Sequence, residues 1–218
     1  MRRFVIIGHR AMSQGKLPIS DLASGAGRVD VLVRAIMSSL LTSHGIRQDT
    51  EVIIHLQGGP GPYRRIKFVG NELRGMHAEE RSVAGLIGKI IKQPTPPIGI
   101  WRRVSEGLYE SGGDIDDTVR EHSQSKIVVL DAEQTSLWSL DAKITNNEIS
   151  KDDFDVTFIL SDDKPLELEI TGNIVSRSIG SQWLQGHIAI GICHFLFCLL
   201  YTSPSPRDAT LSRMPSSA

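Results

Sequence analysis

A change of apolar period near the start of the chain restricts its fold more than any other feature. "RFVIIG" (3–8) is a continuous apolar run with the length of a strand buried on both faces. In "SGAGRVDVLVRAIMSSLLTSHG", which comes next, Val29, Leu32, Val33, Ile36 and Leu40 recur at helical spacing, with Arg28, Asp30 and Arg34 mostly off that stripe. Ser24 or Gly25 is expected to open this helix and Gly45 to close it. "TEVIIHL" (50–56) and "RRIKFVG" (64–70) read as strands joined by "QGGPGPY", whose glycines and prolines force a turn. "AEERSVAGLIGKIIK" (78–92) is a second helix with Val83, Leu86, Ile87, Ile90 and Ile91 inward, and "QPTPPIG" (93–99) is a stiff connector that marks a candidate boundary between two lobes. Beyond it come the strand "GIWRRV", the short helix "GGDIDDTVREHS", the strand "KIVVLD", a hairpin around Trp138 and the strand and turn "VTFILSDD". Then "IGSQWLQGHIAIGICHFLF" (179–197) passes through a glycine turn into an apolar helix. Strands alternating with helices predict an α/β sheet with several parallel neighbours.

Bulk numbers narrow the function. The 218 residues are 40% hydrophobic, enough for one good core or two small ones. With 24 basic and 25 acidic residues the net charge is −1, so an RNA partner needs a local basic patch. Cys193 and Cys198 have neither zinc nor redox spacing and suggest a reducing compartment. The basic start "MRRFVIIGHRA" has too short an apolar run for a signal peptide, and the run Ile188 to Tyr201 is too short to span a bilayer. The expectation is a soluble cytoplasmic protein with no membrane partner. "CLLYTSPSPRDATLSRMPSSA" has no periodicity and resembles adapter-derived read-through, so 198–218 reads as a non-native tail, disordered after about Pro204.

Several familiar chemistries fail on their own motifs. "SGAG" at 24–27 and "GGPG" at 58–61 lack the GxGxxG or GK[ST] context of phosphate loops. Asp162, Asp163 and Glu167 have nothing nearby to complete a magnesium site, and no metal is expected. Ser161, Ser181, His187 and His194 are not accompanied by a nucleophile elbow. The glycine turn before the last helix does have the form that brings backbone N–H groups against a ligand. Arg28, Asp30, Arg34, His44, Arg47 and Asp49 form a dense charged stretch, which composition alone reads as an i,i+4 ion pair of Asp30 and Arg34 on a solvated face. Arg64, Arg65 and Lys67, with Arg102 and Arg103, are either phosphate contacts or a polar strand edge.

Eight segments in order carry a family resemblance: "SGAGRVDVLVRAI", "SHGIRQD", "IKFVGNEL", "AEERS", "WRRV", "IVVLD", "FILSDD" and "SIGSQWLQGHIAIGICH". Together, over residues 1 to about 197, they resemble the archaeal-type tRNA pseudouridine N1-methyltransferases, a branch of the SPOUT methyltransferases with bacterial relatives. The resemblance implies an α/β fold with a mostly parallel sheet flanked by helices and a C-terminal trefoil knot. It also implies one domain over 1–197, its substrate-facing half at 1–92 and its knotted cofactor half at 99–197. S-adenosyl-L-methionine is the implied cofactor, tRNA the partner, with no DNA, and a homodimer the assembly. The implied reaction is N1-methylation of pseudouridine at T-loop position 54. A non-catalytic RNA-binding relative and a SPOUT enzyme acting on ribosomal RNA are the alternatives.

The resemblance also distributes roles. Leu130, Ser161, Ile179, Gly180, Ser181, Trp183, Leu184 and Ala189 would surround the adenosyl group. Asp30, flanked by Arg28 and Arg34, would be the base or orienter at the pseudouridine N1, with an arginine stabilising charge on the uracil carbonyls. Arg47, Arg64, Arg65, Arg102 and Arg103 would contact phosphates. Departures from the family pattern stand at Asp163 (usually His), Ser181 (commonly Pro), Ser161 (often Gly) and Ala189 (often Cys). The stretch from Lys164 to Ile174 is strand-like where a helix is expected.

Overall fold

The computed structural model describes residues 1–137, 155–162, 164–166, 168 and 173–202, with side chains to residue 196. The expected hairpin around Trp138, Asp163, Glu167, part of the Lys164–Ile174 stretch (167 and 169–172) and everything past Thr202 lie outside them. No helix among the described residues is long and apolar enough to cross a membrane.

The chain's first apolar run becomes the centre of a sheet. β1 (Arg2–Met12) pairs in parallel with β4 (Thr50–Gly58) on one side and β9 (Val156–Ser161) on the other. Phe4 therefore sits between Val52 and Phe158, and Ile6 between Ile54 and Leu160. The Phe4 and Phe158 rings stack with centroids 5.6 Å apart. The remaining strands are β5 (Arg64–Val69), β6 (Arg102–Ser105), β7 (Leu108–Gly112), β8 (Lys126–Leu130) and β10 (Ile174–Arg177), and Leu41–Thr42 (β2) and Gly45–Ile46 (β3) form a separate small hairpin. The sheet order is β10-β8-β9-β1-β4-β5-β7-β6. Its first five strands are parallel; β5, β7 and β6 extend it antiparallel. The expected mixed α/β sheet is present, and its strands come from both sides of the 93–99 connector.

Three helices cover one face: α1 (Val29–Leu40), α2 (Glu80–Ile90) and α4 (Gly186–Thr202), which share one apolar core with Phe4, Ile6, Phe158 and Leu160. α3 (Ile115–Glu121), opened by an Asp114/Asp117 capping box, lies near the smaller core on the opposite face. The helix expected from Ser24 or Gly25 to Gly45 is shorter at both ends. The Asp21 carboxylate accepts N–H groups from Ser24 (3.0 Å) and Gly25 (2.9 Å), winding that segment into a turn. Gly27 and Arg28 then take left-handed φ values of 70° and 68°, so helical hydrogen bonding starts only after them. At the other end Leu41 is extended and enters the small hairpin. The last helix also departs from expectation: it runs through Cys198 to Thr202, because the apolar run to Tyr201 has no helix breaker before Pro204.

Between the sheet and α3 lies a fully buried histidine. His55 on β4 pairs through Nε2 with Thr118 Oγ1 at 3.1 Å, while Nδ1 has no partner. Burial first, and then the adjacent Arg65 guanidinium, pushes its imidazole down to about 3. An unfolded imidazole takes its proton near 6.5, so between those values the unfolded chain binds more protons and stability rises with pH. His122 and His194, each lowered to about 4 chiefly by burial, act in the same direction. Denaturant titrations should find the protein less stable at pH 5 than at pH 7, His55 alone accounting for about 2 kcal/mol. A stability profile flat across that range would contradict the buried, neutral placement.

Candidate active site

Parallel strands end at a common edge, and ligands of open α/β sheets bind outside those carboxyl ends. Here β8, β9 and β10 end at Leu130, Ser161 and Arg177, and the segments that follow them open a cleft roofed by the start of α4. The cleft encloses about 690 Å³ including its open mouth. Leu130, Leu160, Ile179, Leu184 and Ala189 supply an apolar wall, and all five also belong to or pack against the main core. Asp131 and Lys164 bring opposite charges to it.

Seven of the eight residues assigned to the adenosyl group line this cleft: Leu130, Ser161, Ile179, Gly180, Trp183, Leu184 and Ala189. Ser181 does not; it points to solvent from the same turn. The turn itself is built by short-range bonds. Ser178 Oγ accepts the Gly180 N–H at 3.0 Å, and Gly180 has φ 155°, at the limit of what side chains allow. Leu137 N–H donates to Ser178 O at 2.7 Å, tying the turn to the segment after β8.

Some lining residues had no sequence assignment. Asp131, Ala132 and Gln182 follow directly on assigned positions, so the rule about strand ends was the available signal. Ser161 gains a further partner from β1: its hydroxyl lies 2.9 Å from His9 Nε2, and the His9 N–H donates to Asp162 Oδ1 at 3.4 Å. That contact spans 152 residues of sequence and had no local signature. Cys193, one turn below Ala189, is buried and its thiol is pushed up to about 12, which makes it an inert core group.

The charged cluster lies elsewhere. Asp30 is buried in the first turn of α1, its carboxylate paired with Arg28 Nε at 3.3 Å and with Arg34, which also reaches Glu80 at 3.3 Å. The i,i+4 pair is therefore real, but its acid is not on a solvated face. None of the three lines the cleft. Both Asp30 oxygens hold arginines, an arrangement suited to orienting them.

The expected phosphate contacts divide. Arg64 and Arg65 are corrected outright: both are fully buried. Arg64 pairs with Glu110 at 2.9 Å and donates to Ile90 O, Gln93 O and Thr95 Oγ1. Arg65 pairs with Glu121 at 2.9 Å, donates to Gly112 O and Thr118 Oγ1, and stacks near Trp101. The two side chains leave β5 on opposite faces of the sheet, where the end of α2 and the segment after it cover Arg64, and α3 with Trp101 covers Arg65. Arg102 is partly exposed on edge strand β6 but shares Glu110 at 2.6 Å, and Arg103 is exposed beside it. Arg47 is half-buried, donating to Leu41 O.

A family model described as "Putative SAM-dependent RNA methyltransferase" matches residues 1–180. The chain belongs to this family. Among curated members, a tRNA (pseudouridine(54)-N(1))-methyltransferase of Methanocella arvoryzae is 36% identical over 78% of this chain and 81% of its own length. The enzyme of that name from Methanospirillum hungatei is 32% identical over 87% of this chain and 92% of its own. The fold of this family member also resembles Archaeoglobus fulgidus Nep1, solved with S-adenosylhomocysteine (TM-score 0.53, 14% identity, 90% of this chain and 95% of that one).

Proposed function

We propose that the chain methylates N1 of pseudouridine in tRNA, at position 54, taking the methyl from S-adenosyl-L-methionine held in the cleft at the ends of β8, β9 and β10. The observation that carries this reading is the convergence of seven sequence-assigned residues on one apolar cleft in a chain of this family. The residues present suit the cofactor. Leu130, Ile179, Leu184 and Ala189 would cover an adenosyl group, and Asp131, whose carboxylate already accepts the Glu133 N–H at 3.0 Å, lines the cleft beside them. When bound, the cofactor supplies an activated methyl on a positive sulfur.

The chain's own contribution is positioning, which can amount to about 7–11 kcal/mol of barrier. Pseudouridine N1 carries a proton that must be shared or removed before it is a good nucleophile. Asp30 holds Arg28 and Arg34 with their outward surfaces free in part, and we assign these arginines to the uracil carbonyls, where negative charge grows as the N1 proton passes to water. Arg47, Arg102 and Arg103 remain as phosphate contacts. Treating tRNA with the protein and methyl donor and digesting it for nucleoside mass spectrometry tests the reaction. N1-methylpseudouridine is expected; a methyl on another nucleoside, or none, would overturn the assignment.

We further propose a single knotted domain over 1–197 and a homodimer, as the family resemblance implies. Support for the dimer comes from α4: Ile188 and Phe195 are 45% and 61% exposed on one side, and between them a Cβ on Gly191 would meet nothing. An exposed apolar stripe with a small residue at its middle suits close approach of a second helix. Sedimentation should therefore find a dimer in the parent and a monomer in the Ile188→Glu/Phe195→Glu variant. A parent that sediments as a monomer at micromolar concentration would contradict it.

A further inference from the structure

We infer that Trp183 is the platform on which the target base stacks, an assignment that rests on the RNA-methyltransfer reading above. Trp183 lines the cleft, yet it is 60% exposed and belongs to neither hydrophobic core. Its neighbours Ile179 and Leu184 pack against the main core and close the buried wall, so the indole is not needed there. A large aromatic surface left open beside an apolar cavity is a binding feature rather than a packing one.

Its position is fixed from both sides. Upstream, Ser178 is held by Leu137 and Thr135 backbone groups at 2.7 and 2.9 Å, and Gly180 is bonded back to the Ser178 hydroxyl. Downstream, Gln185 O accepts the N–H groups of Ile188 and Ala189 at 2.9 and 3.1 Å, opening α4. Only residues 181–184 bridge these anchors, so the backbone that carries the indole is held beside the cleft. A base that receives a methyl inside a cleft must leave its own stack, and that lost stacking has to be recovered. An exposed indole at the mouth recovers it for any base, because every base has a π face.

The test uses the full-length protein, S-adenosylhomocysteine and a pseudouridine-containing tRNA stem-loop. With S-adenosylhomocysteine saturating, Trp183→Ala is expected to weaken RNA binding about five- to 150-fold, the equivalent of one lost base stack. Trp183→Phe should recover most of that loss, and the loss should vanish on a stem-loop abasic at the target position. Unchanged RNA affinity, an equal loss on the abasic RNA, or a parental dimer that the alanine variant turns into monomers would overturn the inference. Failure of the underlying reading is distinguishable: the parent itself would then neither bind S-adenosylhomocysteine nor methylate the stem-loop, and the assignment would fall with it.

Discussion

Glu110→Ala should lower the unfolding free energy by about 3–5 kcal/mol, measured as a shift of the urea midpoint at constant slope. Glu110 is 2% exposed and its carboxylate serves Arg64 with one oxygen and Arg102 with the other. Removing it leaves the fully buried Arg64 guanidinium with carbonyl and hydroxyl acceptors but no counter-charge. The cost of that unpaired charge, and not the net worth of the pair, sets the magnitude. Arg102→Ala, whose guanidinium is half exposed, should cost under about 1 kcal/mol. Equal effects from the two substitutions would mean that Arg64 reaches water after all.

Asp30→Asn should leave S-adenosylhomocysteine affinity and folding near parental while slowing single-turnover methyl transfer by about 100- to 1,000-fold. Asparagine keeps the shape and one acceptor oxygen but loses the charge that fixes two arginines. Arg28 is the more sensitive partner: its left-handed φ of 68° already commits its backbone to an unusual conformation, and its side chain has no other acidic partner among the described residues. Arg34 keeps Glu80. Arg28→Ala should therefore slow the reaction more than Arg34→Ala. Parental turnover in Asp30→Asn would remove the cluster from the reaction and return it to a structural role at the start of α1.

Local signals and long-range ones were not equally readable. The cleft was legible because its residues follow one another in "IVVLD", "FILSDD" and "SIGSQWLQGHIA", each a strand end and the turn after it. Periodicity likewise located β1, β4, β5, α2 and the body of α1. Arg64 and Arg65 were misplaced because "RRIKFV" has the composition of a polar edge, while the residues that bury it, Glu110 and Glu121, lie 46 and 56 residues away. No window of the sequence contains that pairing. The early opening of α1 failed for a different reason: Asp21 diverts the backbone of Ser24 and Gly25 into a turn, an alternative that apolar spacing does not register. His9 was invisible as a neighbour of Ser161 until β1 and β9 were paired.

Titration calorimetry with S-adenosylhomocysteine on the parent and on Ala189→Phe examines the cleft itself. Ala189 is 5% exposed at the junction of the cleft and the core, so a phenyl ring there must fill ligand space. One site per chain in the parent and no measurable heat in the variant are the expected pair of results. A parent that releases no heat, or a variant that binds as its parent does, would mean that the adenosyl sulfur is held somewhere else or not at all.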